Sequence, residues 1–470
     1  MKKMQGLLVL LLCAAALDAQ TVIKAAKAHL GDGRVVAPAW VAVSGGRITE
    51  VSNEALSGDE VVDCGAGEIA PGFIDGWSSA GLARAGAENE EGREVTPQVN
   101  IAALYEPRHV SVKRRLAQGV TTLLVRPGTR AVIAGAAQVV PTSPQSSTPR
   151  HEGAFLCVTL GLDPAAGNSG GGGQGFYSRR PNSRMGVVYD VRTSFTQVQE
   201  ALKAGTAIEA DWMPLVAALK GECTVVWYTE TEKEIWTALR LIDELHIPHN
   251  ICAGAVRASG AAADLKARGV PLLLGEQHWA QYARQRGRGG MDAVHDHGAG
   301  TLHSEHLHEV EPEVRARLGA LAAQGITHPI DTSEEQLFDL GQDCCMAPGV
   351  GAGETTVDKN RVPVTTQARE LVRAGVLCAF AGGGDSAGTH LLDYARLAVR
   401  DGLDPARALS MLTLEPARIL GIAKHKGSLE AGKDADLVVF SGDPLVPTST
   451  PVLVMTEGRI VLRPAAAKGE

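Results

Sequence analysis

Aromatic side chains are scarce in this chain: phenylalanine, tryptophan and tyrosine make up 4% of its 470 residues. With 54 glycines and abundant alanine, the composition suits closely packed strands and helices better than a β-sandwich alone. There is no Cys-x-x-Cys pair, which excludes a zinc knuckle or a thioredoxin-like redox site. No basic stripe offsets the formal net charge of -8, so nucleic acid and anionic membrane surfaces are not expected partners. The glycine run "AAGNSGGGGQG" at 165–175 lacks a Lys-Ser/Thr end and a following helix, and so is not a phosphate cradle.

What is present begins with a leader pattern. Lys2 and Lys3 precede the apolar stretch "LLVLLLCAAAL", and a cleavage site falls near Ala19. That apolar core is about half the ~20 residues a membrane-spanning helix requires. Residues 1–19 therefore read as a removable export signal, placing the mature chain in the periplasm or outside the cell, with no membrane attachment after cleavage. Leu12 is too bulky to precede a lipid-modified Cys13. Cleavage leaves Cys64, Cys157, Cys223, Cys252, Cys344, Cys345 and Cys378, an odd set, and several sit in apolar runs as buried thiols do.

Short strand-like pieces separated by glycine turns occupy both ends of the chain. "WVAVSGGRITEVS" reads as a hairpin about Gly45-Gly46, and "DADLVVF" and "PVLVMTEGRIVL" have the same character near the C-terminus. The expectation is one small β-sandwich built from residues 20–70 and 421–465. Between them, apolar runs such as "GVTTLLVRPG", "AFLCVTLGL", "CTVVWYT", "GVPLLLGE" and "GVLCAFAGGGD" alternate with helical patterns such as "EKEIWTALRLIDELH". Repeated βα units of this kind predict an α/β fold: a distorted (β/α)8 barrel over 71–420, with an open doubly wound sheet as the alternative.

"GRITEVS", "EVVDCGAGEIAPGFIDG", "LAQGVTTLLVRPG", "LEPARILGI" and "GSLEAGKDADLVVFSGDPL" resemble the amidohydrolase superfamily, in its imidazolonepropionase-like and dihydroorotase-like branch. The resemblance implies a barrel with a sandwich from both ends, and one or two divalent metals used to hydrolyse C–N bonds of amides or cyclic amides. A bound Zn²⁺ brings the pKa of water from 15.7 to roughly 7, which is what makes water a nucleophile at neutral pH. The resemblance also says where ligands belong. A His-x-His pair after the first barrel strand maps to Trp77 and Ser79, a bridging lysine to Cys157, one histidine to the vicinity of Tyr228, Thr229 and Glu230, and another to Ala253 or a neighbour. Only Asp385, in the position of the aspartate base and ligand, matches.

The chemistry expected is therefore a metal centre reduced to a single carboxylate, with no metal ligands and no cofactor. Asp385 is the one candidate catalytic residue; as an alternative it caps the helix beginning near "SAGTHLL", with His390 close by. His295, His297, His303, His306 and His308 have spacing that suits Zn²⁺ or Cu²⁺, or form a solvated loop. Arg126 and Arg184 either clamp a ligand carboxylate or pair with a neighbouring acid. Trp77 is expected to fill the barrel mouth. The leading reading is a non-catalytic protein that binds a small ligand or accompanies an active amidohydrolase paralogue, with a homo-oligomer as a further arrangement. The other readings are an active C–N hydrolase and a purely structural surface protein.

Overall fold

The computed structural model describes residues 19–82, 89–90, 92–143, 154–161, 164, 181, 183–255, 257–275, 367–382 and 390–463. Asp385, the histidines from 295 to 308, Cys344, Cys345 and the glycine run all lie outside the described residues.

The first strands make two facing sheets. β1 (Thr21–Ala25), β4 (Ala39–Ser44), β5 (Arg47–Ser52) and β6 (Glu60–Asp63) form one, in the order β5-β4-β1-β6. The other holds β2 (Lys27–His29), β3 (Val35–Val36) and β7 (Glu68–Pro71), together with β16 (Leu437–Phe440), β17 (Pro451–Thr456) and β18 (Arg459–Leu462) from the far end of the chain. "VIKAAKAHL", which reads as one strand-like piece, is divided at Ala26, where the backbone N–H leaves its own sheet and donates to Gly67 O at 2.9 Å. A strand that changes sheets at such a corner joins the two layers of a sandwich. Ile23, Val41 and Ile48 of one sheet meet Ile69, Leu437, Val439 and Met455 of the other in a buried core.

The central sheet has eight strands: β8 (Phe73–Ser78), β9 (Val120–Val125), β10 (Ile133–Pro141), β11 (Ala154–Thr159), β12 (Cys223–Tyr228), β13 (Asn250–Ala253), β14 (Leu272–Leu274) and β15 (Cys378–Phe380), neighbours in that order. Alternate residues point to opposite faces. Ile74, Leu124, Ala137, Phe155, Val226, Ile251, Leu273 and Ala379 line the inside. Leu123, Val158, Trp227, Cys252, Leu272 and Phe380 pack outward against the helices. The sheet is a distorted barrel rather than a regular one, because β10 runs antiparallel to both neighbours. A parallel return needs a crossover of about a dozen residues or more, and residues 126–132 are too short a link to supply it.

Closure falls between β8 and β15. Gly382 N donates to Asp75 Oδ1 at 2.7 Å. The peptide at Met411–Leu412 laces the same seam, taking Phe380 N on Met411 O (3.1 Å) and Ile74 N on Leu412 O (2.9 Å).

Helices α1 (Val110–Ala117), α2 (Arg184–Ala204), α3 (Met213–Lys220), α4 (Glu232–Leu245), α5 (Ala262–Arg268), α6 (Gln367–Arg373), α7 (Leu391–Arg400), α8 (Pro405–Ser410) and α9 (Leu414–Ile419) surround the barrel or follow it. α4 shows the local logic. Ile235, Ala238, Leu239, Ile242 and Leu245 make a buried stripe at helical spacing, while acidic Glu232 and Glu234 occupy the first turn, where the helix dipole favours them. α7 is capped by exposed His390, whose side chain makes no capping bond. The expectation that Asp385 caps a helix or hydrogen-bonds a loop falls outside the described residues.

Candidate functional site

The C-terminal ends of the barrel strands are the place where residues from different strands converge. β8 sends Trp77 inward, where it is 1% exposed. Its ring stacks on that of Tyr228 at the end of β12, with centroids 5.8 Å apart and planes 9° from parallel. On the same indole lies Arg126, whose Cζ is 5.0 Å from the ring centroid. Arg126 is held there because its backbone N–H continues the β8–β9 pairing to Ser78 O at 3.0 Å, and its Nη1 donates to Pro127 O at 3.0 Å. Such an aromatic pair topped by a guanidinium is attractive through the ring quadrupoles. Tyr228 Oη donates onward to Glu230 Oε1 at 3.4 Å.

Cys157 of β11 lies in the same interior cluster as Trp77 and Tyr228. Burial pushes its thiol up to about 12, only partly opposed by the nearby Arg126 charge. From β13, Ala253 joins the cluster without a polar atom to offer. Thr229 is fully buried, and burial likewise pushes the Cys252 thiol up to about 12.

These side chains do not fit a divalent cation. Indole is a donor only, and a thiol must lose its proton to ligate, which burial opposes at Cys157. Among the described residues no three His, Cys, Asp or Glu side chains form a group able to hold a metal ion. A guanidinium also stands over the indole, where its charge would repel one.

Asp75 went unremarked as a candidate in the sequence, and it is the most unusual titratable group near the seam. It is fully buried, and its Oδ1 takes backbone N–H groups from Gly382 (2.7 Å) and Trp77 (3.2 Å). Among the described residues its Oδ2 has no hydrogen-bond partner. Burial raises its pKa, against the pull of the buried Arg115 guanidinium and of those hydrogen bonds. An acidic residue in an otherwise apolar strand was the signal that could have found it.

Arg184 resolves to its structural alternative: Nη2 lies 2.8 Å from Glu234 Oε1, at the start of α4. The same Glu234 accepts from Glu230 N (2.6 Å) and Thr231 N (3.2 Å), so it anchors the turn after β12. Of the residues expected at the mouth, the structure thus brings together Trp77, Cys157, Tyr228 and Arg126, with Glu230 at the edge, and removes Arg184.

A barrel closed in this way and carrying a sandwich from both ends defines the general class, that of the metal-dependent hydrolase fold. Comparison with known proteins gives the family. The model of the amidohydrolase family matches residues 287–463. The chain is 22% identical over 446 residues to amidohydrolase tasK of Hapsidospora irregularis, an alignment covering 89% of this chain and 39% of that protein. It is 33% identical over 144 residues to imidazolonepropionase of Geobacillus kaustophilus, covering 29% of this chain and 32% of the relative. The chain thus spans less than two fifths of the length of these curated relatives. Among solved structures, an amidohydrolase from Thermotoga maritima superposes with a TM-score of 0.68 at 22% identity, covering 94% of this chain and 100% of that one. These likenesses support the amidohydrolase superfamily.

Proposed function

We propose that this chain is an exported, non-hydrolytic member of the superfamily that holds a small organic ligand at its barrel mouth, alone or as companion to an active paralogue. The observation that carries this is the Arg126–Trp77–Tyr228 stack, which fills the position where the resemblance places metal ligands. Hydrolysis of a C–N bond needs an activated water, and two groups near the stack are poorly suited to supply one. Asp75 spends an oxygen on two backbone donors and is buried where ionisation is disfavoured. Cys157 keeps its proton.

The test is direct. The mature chain is incubated with Zn²⁺, dialysed and assayed for metal per chain and for turnover of cyclic amides and aminoacyl amides. The expected result is far less than one metal per chain and no turnover above buffer. Near-stoichiometric metal retained through dialysis, with turnover abolished by Asp385→Asn, would establish the C–N hydrolase instead. N-terminal sequencing of the secreted protein checks export: the first residue is expected near Gln20.

A further inference from the structure

Lys426 follows α9, while Asp434 and Asp436 lead into β16, and the fold brings their side chains together at 6% exposure each. Lys426 Nζ touches Asp436 Oδ2 and lies 3.5 Å from Asp434 Oδ2. The backbone fixes the partners: Asp434 N donates to His425 O and Asp436 N donates to Asp434 O, each at 2.9 Å. Asp436 Oδ1 is held as well, accepting from Glu457 N at 2.7 Å. Arg47 Nη1 lies 3.7 Å from Asp434 Oδ1 and steadies the second carboxylate. A primary amine is thus in contact with a carboxyl group whose far oxygen carries a hydrogen-bond donor, and another carboxylate stands beside the amine.

In water an amine and a carboxylic acid stay apart as solvated ions. Burial strips that solvation from both, which favours the neutral amine and neutral acid that can condense. Holding the two in one geometry also turns an encounter in solution into an intramolecular step.

We propose that the Lys426–Asp436 ion pair is the precursor of an amide crosslink, a modification that the folded chain makes on itself. One ammonium proton passes to Asp436 Oδ2, leaving a neutral amine against a neutral acid. The Nζ lone pair then forms a bond to Cγ, and the carbonyl electron pair moves onto Oδ1, where the Glu457 N–H stabilises it. Asp434 takes a second proton from Nζ and returns it to Oδ2. The Cγ–Oδ2 bond breaks, water leaves, and Oδ1 becomes the amide carbonyl with Asp434 restored as a carboxylate. The nitrogen keeps one hydrogen, no group is oxidised or reduced, and no outside reactant is consumed. The crosslink closes the turn between α9 and β16.

The test is the mass of the intact chain. Folded protein is kept in neutral buffer for days, beside a sample held unfolded in urea. The folded sample is expected to become one water lighter than its sequence requires, and the urea sample to keep its full mass. Tryptic digestion should then yield residues 425–433 joined through Lys426 to residues 434–459, with fragmentation placing the link on Asp436. Lys426→Arg keeps the positive charge but cannot form the amide, and is expected to stay at full mass. Asp434→Asn is expected to slow the loss of water by about a hundredfold, as removal of a proton carrier does, with an unchanged circular dichroism spectrum. A wild-type chain that keeps its full mass overturns the crosslink. So does a loss of water that persists in Lys426→Arg, or one that fragmentation places elsewhere as a cyclised aspartate. Asp434→Asn that condenses at the wild-type rate overturns the role of Asp434.

Discussion

Asp75 sits in a strand whose every residue is buried, so its carboxylate has only the protein to solvate it. Two backbone N–H groups and the charge of Arg115 offset part of that cost, and burial still wins, raising the pKa. The consequence for stability has a definite sign. A carboxyl whose folded pKa lies above its unfolded value binds its proton more tightly when folded, so stability falls as pH rises from the ordinary carboxylate range through the raised value. Asp75→Asn, which keeps an acceptor for Gly382 and Trp77, removes this slope. Urea denaturation at pH 7 and pH 4.5 is expected to show wild type gaining on the variant at the lower pH. Asp75→Ala strands two buried backbone donors, and a loss of about 1–3 kcal/mol for each is expected at neutral pH. Asp75 was hard to weigh from sequence because its partner Gly382 is 307 positions away. Trp77 was easier to read: its bulk at a position expected to hold histidine announced a filled mouth, although the identity of its stacking partner depended on closure of the barrel.

At the scale of elements, the seam between β8 and β15 is the least conventional joint. The Asp75 carboxylate and the Arg115 guanidinium run beneath the α-carbon of Gly382, leaving no room for a side chain. A methyl group there would meet Asp75 Oδ2 at 2.5 Å and Arg115 Nη2 at 3.2 Å. Gly382→Ala is therefore expected to destabilise the fold by about 1–3 kcal/mol, as overpacking of a filled interior does. Hydrogen exchange should speed at Ile74 N and Phe380 N, the donors laced to Leu412 and Met411; unchanged exchange there would mean the seam does not depend on this contact. Most barrel strands were legible as short apolar runs flanked by glycine. β10 was not, because "IAGAAQVVP" is rich in small residues and lies too close to β9 for the βα rhythm that located the others. Its path is set by the short link before it and by Gly135, whose φ of 97° only glycine adopts readily, packed against the Val99 carbonyl.

The whole molecule depends on a buried ionic knot where barrel and sandwich meet. Lys426 pairs with Asp436 and lies 3.5 Å from Asp434, all three about 6% exposed. Asp436 Oδ1 accepts from Glu457 N at 2.7 Å, and its carbonyl accepts from Gly72 N at 2.9 Å, just before the first barrel strand. The hairpin of β4 and β5 is drawn in as well, through the bridge between Arg47 and Asp434. Lys426→Met removes the cation that the two buried carboxylates share, and a loss of about 3–5 kcal/mol is expected, measured from the urea midpoint at unchanged slope. A change below about 1 kcal/mol would show that water reaches the knot. The two glycine-punctuated ends of the sequence pointed to a shared sheet, whereas this cluster did not stand out among the charges of "KHKGSLEAGKDAD".

Within that shared sheet β16 lies between β7 and β17, so the N-terminal strand β7, paired on one side with β2, finds its second neighbour in residues 437–440. During synthesis, at about 5–20 residues per second, this edge of β7 must wait until residues 437–440 have left the ribosome. A polypeptide released early carries an open strand edge, of the kind that invites aggregation and proteolysis. The topology thus acts as a check on elongation: only products that extend through β16 can cover this edge of β7.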